Sequence, residues 1–221
     1  MPSGEIILSK VAVPDTPAAG KIALFAFSGA VPSLRTKDEN GNIVILNPSI
    51  NASVAQQAFI QTEAYILGSN VVLPAGQWRA GAHYRCRFDM TKTAACTSGP
   101  LINVKMGTSG LVGDATVLAI QFAAGTAAAD TGVFEVMLTF RAVGVGTAAV
   151  IQAITMCNHH LAAGGLTTTG ASGCGIIKST SAGFDSTTQT NLGLSFTGGA
   201  TGANFSGTCE LVQARINNGQ V

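Results

Sequence analysis

HYRCRFDMTK, residues 83–92, sets the fold class. Tyr84, Cys86, Phe88 and Met90 alternate with Arg85, Arg87 and Asp89. Successive side chains on a β-strand leave opposite faces, so this period of two makes one face apolar and the other charged. The same period runs through VFEVMLTFRAV, where Phe134, Val136, Leu138 and Phe140 face a core while Glu135, Thr139 and Arg141 face out. TVLAIQF places Leu118, Ile120 and Phe122 on one side, and LGLSF does so with Leu192, Leu194 and Phe196. CELVQARI sets Val212, Ala214 and Ile216 against Gln213 and Arg215.

Gly-rich breakers separate these runs: LPAGQWRAG, GTSGLVGD, AAGTAAADTG, TTTGASGCG and TGGATGANFSG. Short strands at such spacing read as an antiparallel β-sandwich or barrel. One or two helical turns are expected in NPSINASVAQQAFIQ, with Ser49 and Asn51 as caps. The first third is different. VAVPDTPAAG carries Pro14 and Pro17, which fix φ and remove donors, and reads as an extended arm. KIALFAF is a short strand. SLRTKDENGNIVIL gives two strands around Asp38-Glu39-Asn40-Gly41, since Asn-Gly supplies the positive φ of a tight hairpin. The expected organisation is an arm and β-hairpin module over residues 1–48, a linker over 49–57, and a sandwich over 58–221.

The chain has 221 residues, enough for a substantial core. Only 10% of them are charged and the net charge is +1. Lys and Arg are scattered apart from Arg85 and Arg87, so no electrostatic footprint for nucleic acid is expected. No run reaches the roughly 20 apolar residues of a membrane span, and the N-terminus does not read as a signal peptide. A diffusing protein usually carries more charge than this; a subunit buried in an assembly does not need it. The five cysteines, Cys86, Cys96, Cys157, Cys174 and Cys209, form no C-x-x-C pair, which argues against a zinc finger or a thioredoxin-type motif. Free thiols are expected, with Cys86–Cys96 as a candidate bridge across a hairpin-like loop.

Two stretches, PDTPAAGKIALFA (14–26) and LRTKDENGNIVIL (34–46), resemble the N-terminal module of structural proteins of tailed bacteriophages, found in fibres and head decorations. The order of VVLPAGQWRAGAHYRCRFDM, INVKMGTSGLVGDATVLAI, VFEVMLTFRAVGVGTAAVI and the closing CELVQARI is similar to their jelly-roll domains. The likeness is one of layout and turn composition. It implies an all-β jelly roll, a homotrimer with TNF-like packing around a three-fold axis, no cofactor and no catalytic residues. It also implies a virion location after assembly in the host cytoplasm. The expected partners are further copies of the chain and the major capsid protein or another virion protein. Val13, Pro14, Pro17, Ile22, Leu24 and Phe25 are the expected capsid-docking residues, and Cys174, read as lying in a Gly-rich loop, is a candidate cross-link between subunits.

The one stretch with chemical side chains in a cluster is ITMCNHHLAAGG, residues 154–165. Val150 to Met156 reads as a strand. If it continues, Cys157 and His159 share a face, roughly 6–7 Å apart along the strand, while His160 leaves the other. Cys157 and His159 are therefore candidate metal ligands, but zinc needs three or four, which would have to come from copies around a trimer axis. The competing reading is a strand end that meets solvent or a neighbouring subunit. A Cys–His nucleophile would need an acidic residue to orient the ring, and none lies nearby in sequence. GTSGLVG lacks the Lys-Ser/Thr of a phosphate loop and reads as a turn. Asp114, Asp130 and Asp185 sit in turn-like sequence, where Asp bonds to local backbone. Trp78 is expected to close one end of the sandwich, and Tyr65 and Tyr84 to be core or rim residues. These readings favour a non-enzymatic head-decoration or head-fibre protein. The rival is a receptor-binding tail-fibre tip that recognises a host-surface glycan or protein.

Overall fold

The computed structural model describes residues 10–11, 15–27, 33–37, 39–40, 43–45, 49–93, 96–161, 165–169, 173–199 and 205–217. It is all-β: seventeen strands and no helix occur among the described residues. The chain divides into two compact units, Met1–Pro48 and Ser49–Gly219.

The first unit is one four-stranded sheet of β1 (Lys10–Val11), β2 (Ala23–Phe27), β3 (Ser33–Lys37) and β4 (Ile43–Ile45), in that order. β1 runs parallel to β2, and the other pairs are antiparallel. The stretch read as an extended arm is therefore partly sheet, and it also turns. Gly20 takes a φ of 72° while the Lys21 amide donates to the Ala18 carbonyl at 3.0 Å. That φ lies in the left-handed region that only glycine enters without a Cβ penalty.

The second unit begins with β5 (Ser49–Ser53), β6 (Gln57–Phe59), β7 (Ala64–Tyr65) and β8 (Val71–Val72). The expected linker and helical turns are thus replaced by strands. β5 pairs along its whole length with the last strand, β17 (Val212–Asn217). Short range preferences lose here to the backbone hydrogen bonds that a sheet edge offers. Then follow β9 (His83–Lys92), β10 (Leu101–Gly107), β11 (Ala115–Gln121), β12 (Asp130–Ala142), β13 (Val150–His159), β14 (Cys174–Thr180), β15 (Asn191–Thr197) and β16 (Gly207–Cys209).

These strands form two sheets. In the larger, β14, β13, β12 and β9 lie side by side. The far edge of β9 is shared: residues 83–88 pair with β17 and residues 91–92 with β16. β5 then extends from β17 and β6 from β16. In the smaller sheet the order is β11, β10, β15, with β7 and β8 both on the outer edge of β15. All pairs in both sheets are antiparallel.

The sheets face each other across an aromatic core. Phe196 of the smaller sheet meets Phe59, Phe88 and Phe134 of the larger at centroid distances of 5.3, 6.3 and 6.0 Å, and Phe205 at 5.5 Å. Phe88 and Phe134, cross-strand partners, stack at 5.2 Å. Trp78 closes one end: it is buried, stacks on Phe140 at 5.2 Å, and donates Nε1–H to the Gln189 carbonyl at 2.7 Å. Tyr84 is a core residue whose hydroxyl donates to the Ser69 carbonyl at 2.6 Å.

β15 departs from the simple alternation. All seven of its residues are buried, so both faces are covered. Leu192, Leu194 and Phe196 face the aromatic core. On the other side the chain from Gln61 to Tyr65 folds over the strand: Thr197 Oγ1 donates to the Gln61 carbonyl, and a Cβ at Gly193 would lie 1.8 Å from the Tyr65 hydroxyl oxygen. Gly193 is thus required by a close approach.

Because Phe196 touches four other rings, Phe196→Ala removes the centre of the core. The variant is expected to lose about 3–5 kcal/mol of stability, read as a lowered denaturation midpoint in urea at unchanged slope.

Candidate interaction surface

The Cys157–His159 stretch lies on β13, and the strand continues through His159 as its period required. Thr155, Cys157 and His159 all point inward and are buried, while His160 follows the strand and is exposed. What sequence spacing could not show is the acid. Asp130 is not in a turn; it opens β12 and is buried. Its Oδ2 lies 2.9 Å from His159 Nδ1 and accepts from the Leu166 amide at 2.9 Å. Its Oδ1 accepts from the amides of Thr131 and Leu161 at 2.9 and 3.1 Å. The cross-strand partner of Asp130 is Lys92, also buried, whose Nζ donates to the carbonyls of Thr126 and Gly165 at 2.5 and 2.7 Å. Burial pulls the Lys92 ammonium down, opposed by Cys96 and Asp130.

This cluster ties β9, β12 and β13 to the segments at Thr126 and at Gly165–Leu166. It has the residue types of a nucleophilic triad without the properties of one. Burial pushes the Cys157 thiol up to about 12, and the nearby Asp130 pushes the same way, whereas an active thiol needs a lowered value and access. Within one chain, no group of three or more His, Cys, Asp or Glu side chains able to hold a metal occurs among the described residues.

The other acids that sequence placed in turns are there. Asp114 accepts from Ser109 Oγ, the Ser109 amide and the Gly110 amide. Asp185 accepts from Thr187 and from the Gly146 amide. Cys86 and Cys96 remain free and buried, so the candidate bridge is not formed: Cys86 points into the core from β9, and Cys96 donates to the Gly198 carbonyl. Cys174 is the first residue of β14, not a loop residue, and is exposed.

Of the six residues expected to dock on a capsid, Ile22 and Leu24 are exposed at 71% and 46% and Pro17 is half-buried. Phe25 is buried at 4%, facing away from solvent because it alternates with Leu24 on β2, and so presents no docking side chain. Val13 and Pro14 lie outside the described residues.

The outer face of the larger sheet carries exposed charged and apolar side chains. Its register sets two cross-strand rows. One reads Ile50, Arg215, Arg85, Met137, Ile154, Lys178, from β5 across to β14. The next reads Ala52, Gln213, Arg87, Glu135, Met156, Ile176. The face is therefore basic over β17 and β9, and over β12 to β14 it carries four apolar side chains, Met137, Ile154, Met156 and Ile176, bordered by Glu135 and Lys178. Ile154 and Ile176 are exposed at 42% and 61%. Over the basic half lies a groove of about 440 Å³ lined by Ile50, Arg85, Arg87, Gln213 and Arg215, among others. Sequence reading saw Arg85 and Arg87 as neighbours; Arg215, 128 positions beyond Arg87 in sequence, joins them only through the β9–β17 pairing.

The outer face of the smaller sheet carries a different cluster. Glu63 Oε1 accepts from Ser195 Oγ at 2.5 Å and Asn103 Nδ2 at 2.7 Å, and lies 3.1 Å from Lys105 Nζ. Burial alone would raise the Glu63 carboxyl; the bonds from Ser195, Asn103 and Lys105 outweigh it and hold the group below its ordinary value.

No protein-family model matches the chain, and no curated protein does.

Two outcomes follow from these clusters. A carboxyl held low in the folded state adds stability at pH values above 4.5, its ordinary value, and that contribution is lost as pH falls through the lower folded value. The unfolding midpoint should therefore drop on acidification below 4.5, and Glu63→Gln should flatten that part of the profile. Separately, only Cys174 among the five cysteines is exposed. A thiol reagent added to native protein should label one cysteine per chain, Cys174 by peptide mapping, and all five after denaturation.

Proposed function

We propose that this chain is a non-enzymatic structural subunit of a bacteriophage particle, a homotrimeric capsid-decoration or head-fibre protein with a jelly-roll body. The observation that carries the reading is the outer face of the larger sheet. Met137, Ile154, Met156 and Ile176 leave an apolar area on a chain with only 10% charged residues. Contiguous exposed apolar surface of this kind marks protein–protein contact. A second copy is the occupant we assign to it, through the apolar half of the face.

Strand order supports the jelly roll. β9 and β10 lie in different sheets, as do β11 and β12, and β14 and β15, so the chain winds back and forth between the layers. β5, β17, β9 and β12 are adjacent in one sheet, and β8, β15, β10 and β11 in the other. The N-terminal unit supports an anchoring role, with Ile22 and Leu24 exposed among its described residues. Repeated weak contacts on a lattice would add up to firm attachment.

The test is co-sedimentation of the purified full chain with undecorated capsids and, in parallel, with host cells. Uptake by capsids, lost in the Ile22→Asp, Leu24→Asp double variant and on removal of residues 1–48, is the expected result. Uptake by cells alone would replace this reading with the receptor-binding tip.

A further inference from the structure

The basic half of the larger sheet's outer face is unusual for what it brings together. The chain has six arginines, and three of them line one groove. Arg85 and Arg215 are direct cross-strand partners. Like charges placed opposite each other on a sheet destabilise it. Arg87 lies opposite Gln213 on one side and Glu135 on the other. Glu135 makes its ion pair with Arg85, diagonally, and not with the Arg87 directly opposite. Among the described residues Arg87 and Arg215 have no ion-pair partner. Asp89, the next outward residue on β9, is turned to the amides of Glu210 and Leu211, which Oδ1 accepts at 2.9 and 2.7 Å. The fold thus holds two unneutralised guanidinium groups and a third shared one around a concave space of about 440 Å³.

We propose that this groove is a binding site for a phosphate group, as the free dianion or a phosphate monoester. Charge and shape both select that class. Three arginines less one glutamate leave a net charge of +2 in the groove, which matches a group carrying about −1.5 to −2 at neutral pH. Guanidinium forks bind oxyanions through paired N–H donors, and three forks arriving from two strands need more acceptors than the two oxygens of a carboxylate. A phosphate offers three terminal oxygens. Gln213, exposed between Ala52 and Arg87, adds a neutral donor at the same level. Binding would also neutralise the Arg85–Arg215 opposition, so the ligand stabilises the β9–β17 pairing on which the sheet is built. The site stands on this geometry alone, whether or not the chain belongs to a phage particle.

The experiment is thermal unfolding and calorimetric titration of the full chain with inorganic phosphate, glycerol 3-phosphate, sulfate and acetate, with sodium chloride at matched ionic strength as the baseline. Phosphate should raise the melting temperature saturably and more than chloride, sulfate should do so as a tetrahedral dianion, and acetate should not. Arg87→Gln and Arg215→Gln should each weaken phosphate binding at least tenfold. Arg141→Gln, on the same face but bonded to Gln152, should leave it unchanged. Without ligand, Arg215→Gln should melt no lower than the parent, which separates loss of binding from loss of fold. Tighter binding of glycerol 3-phosphate than of phosphate would identify a monoester as the ligand, and equal binding the free ion. A melting shift no larger than that of chloride, or full binding by both arginine variants, would overturn the proposal. Those results leave the capsid reading untouched, because capsid uptake is read on the first unit.

Discussion

The pairing of β9 with strands on both edges is the constraint from which the larger sheet is built. On one edge it is matched along its length by β12, and on the other it is divided between β17 and β16. A one-residue slip in any of these registers would send Tyr84, Cys86, Phe88 and Met90 to solvent and the arginines into the core. The aromatic contacts make that slip prohibitive. Phe88 stacks on its partner Phe134, and both meet Phe196 from the opposite sheet. Register within one sheet and packing between the two are thus fixed by the same residues.

Such a core leaves polar groups to be satisfied at its end. Lys92 follows Met90 in the inward series of β9, where an apolar residue would continue the pattern. Its ammonium is held by two carbonyls, and beside it Asp130 gathers His159 and three backbone amides. Buried polar and ionic groups are costly unless they are bonded, and of this cluster His159 Nε2 is buried with no hydrogen-bond partner. The cluster is therefore a fastening between strands and the chain segments that cap them. Its thiol neighbour is shut in and protonated.

The outer face obeys a different rule. Nothing in the core dictates which side chains lie there, yet it has a basic part over β17 and β9 and, over β12 to β14, a cluster of four apolar side chains bordered by Glu135 and Lys178. Water would accept a mixed polar surface more readily than either. Both halves thus have unmet interactions, one for apolar surface and one for negative charge. They are adjacent, so a contact made over the apolar half would leave the arginine groove beside it.

The sequence by itself determined the strands with clean alternation. In 83–92, 134–140 and 212–216 the period of two is local, so inside and outside could be assigned without knowing any partner. It also placed Cys157 and His159 on one face, on condition that their strand continued, and led to the expectation of Trp78 as an end cap. Only the tertiary structure decided the rest, because the signals were distributed. β5 carries no strong propensity and becomes a strand because β17 offers it an unpaired edge. Asp130 reaches His159 from 29 positions away through the β12–β13 pairing. Arg215 reaches Arg85 through the closing strand. The face of β15 that points away from the core is covered by a segment more than a hundred positions earlier. Local periodicity tells a residue which way to point. Which residues it meets there depends on strand pairing across the whole chain, and a period of two carries no record of that.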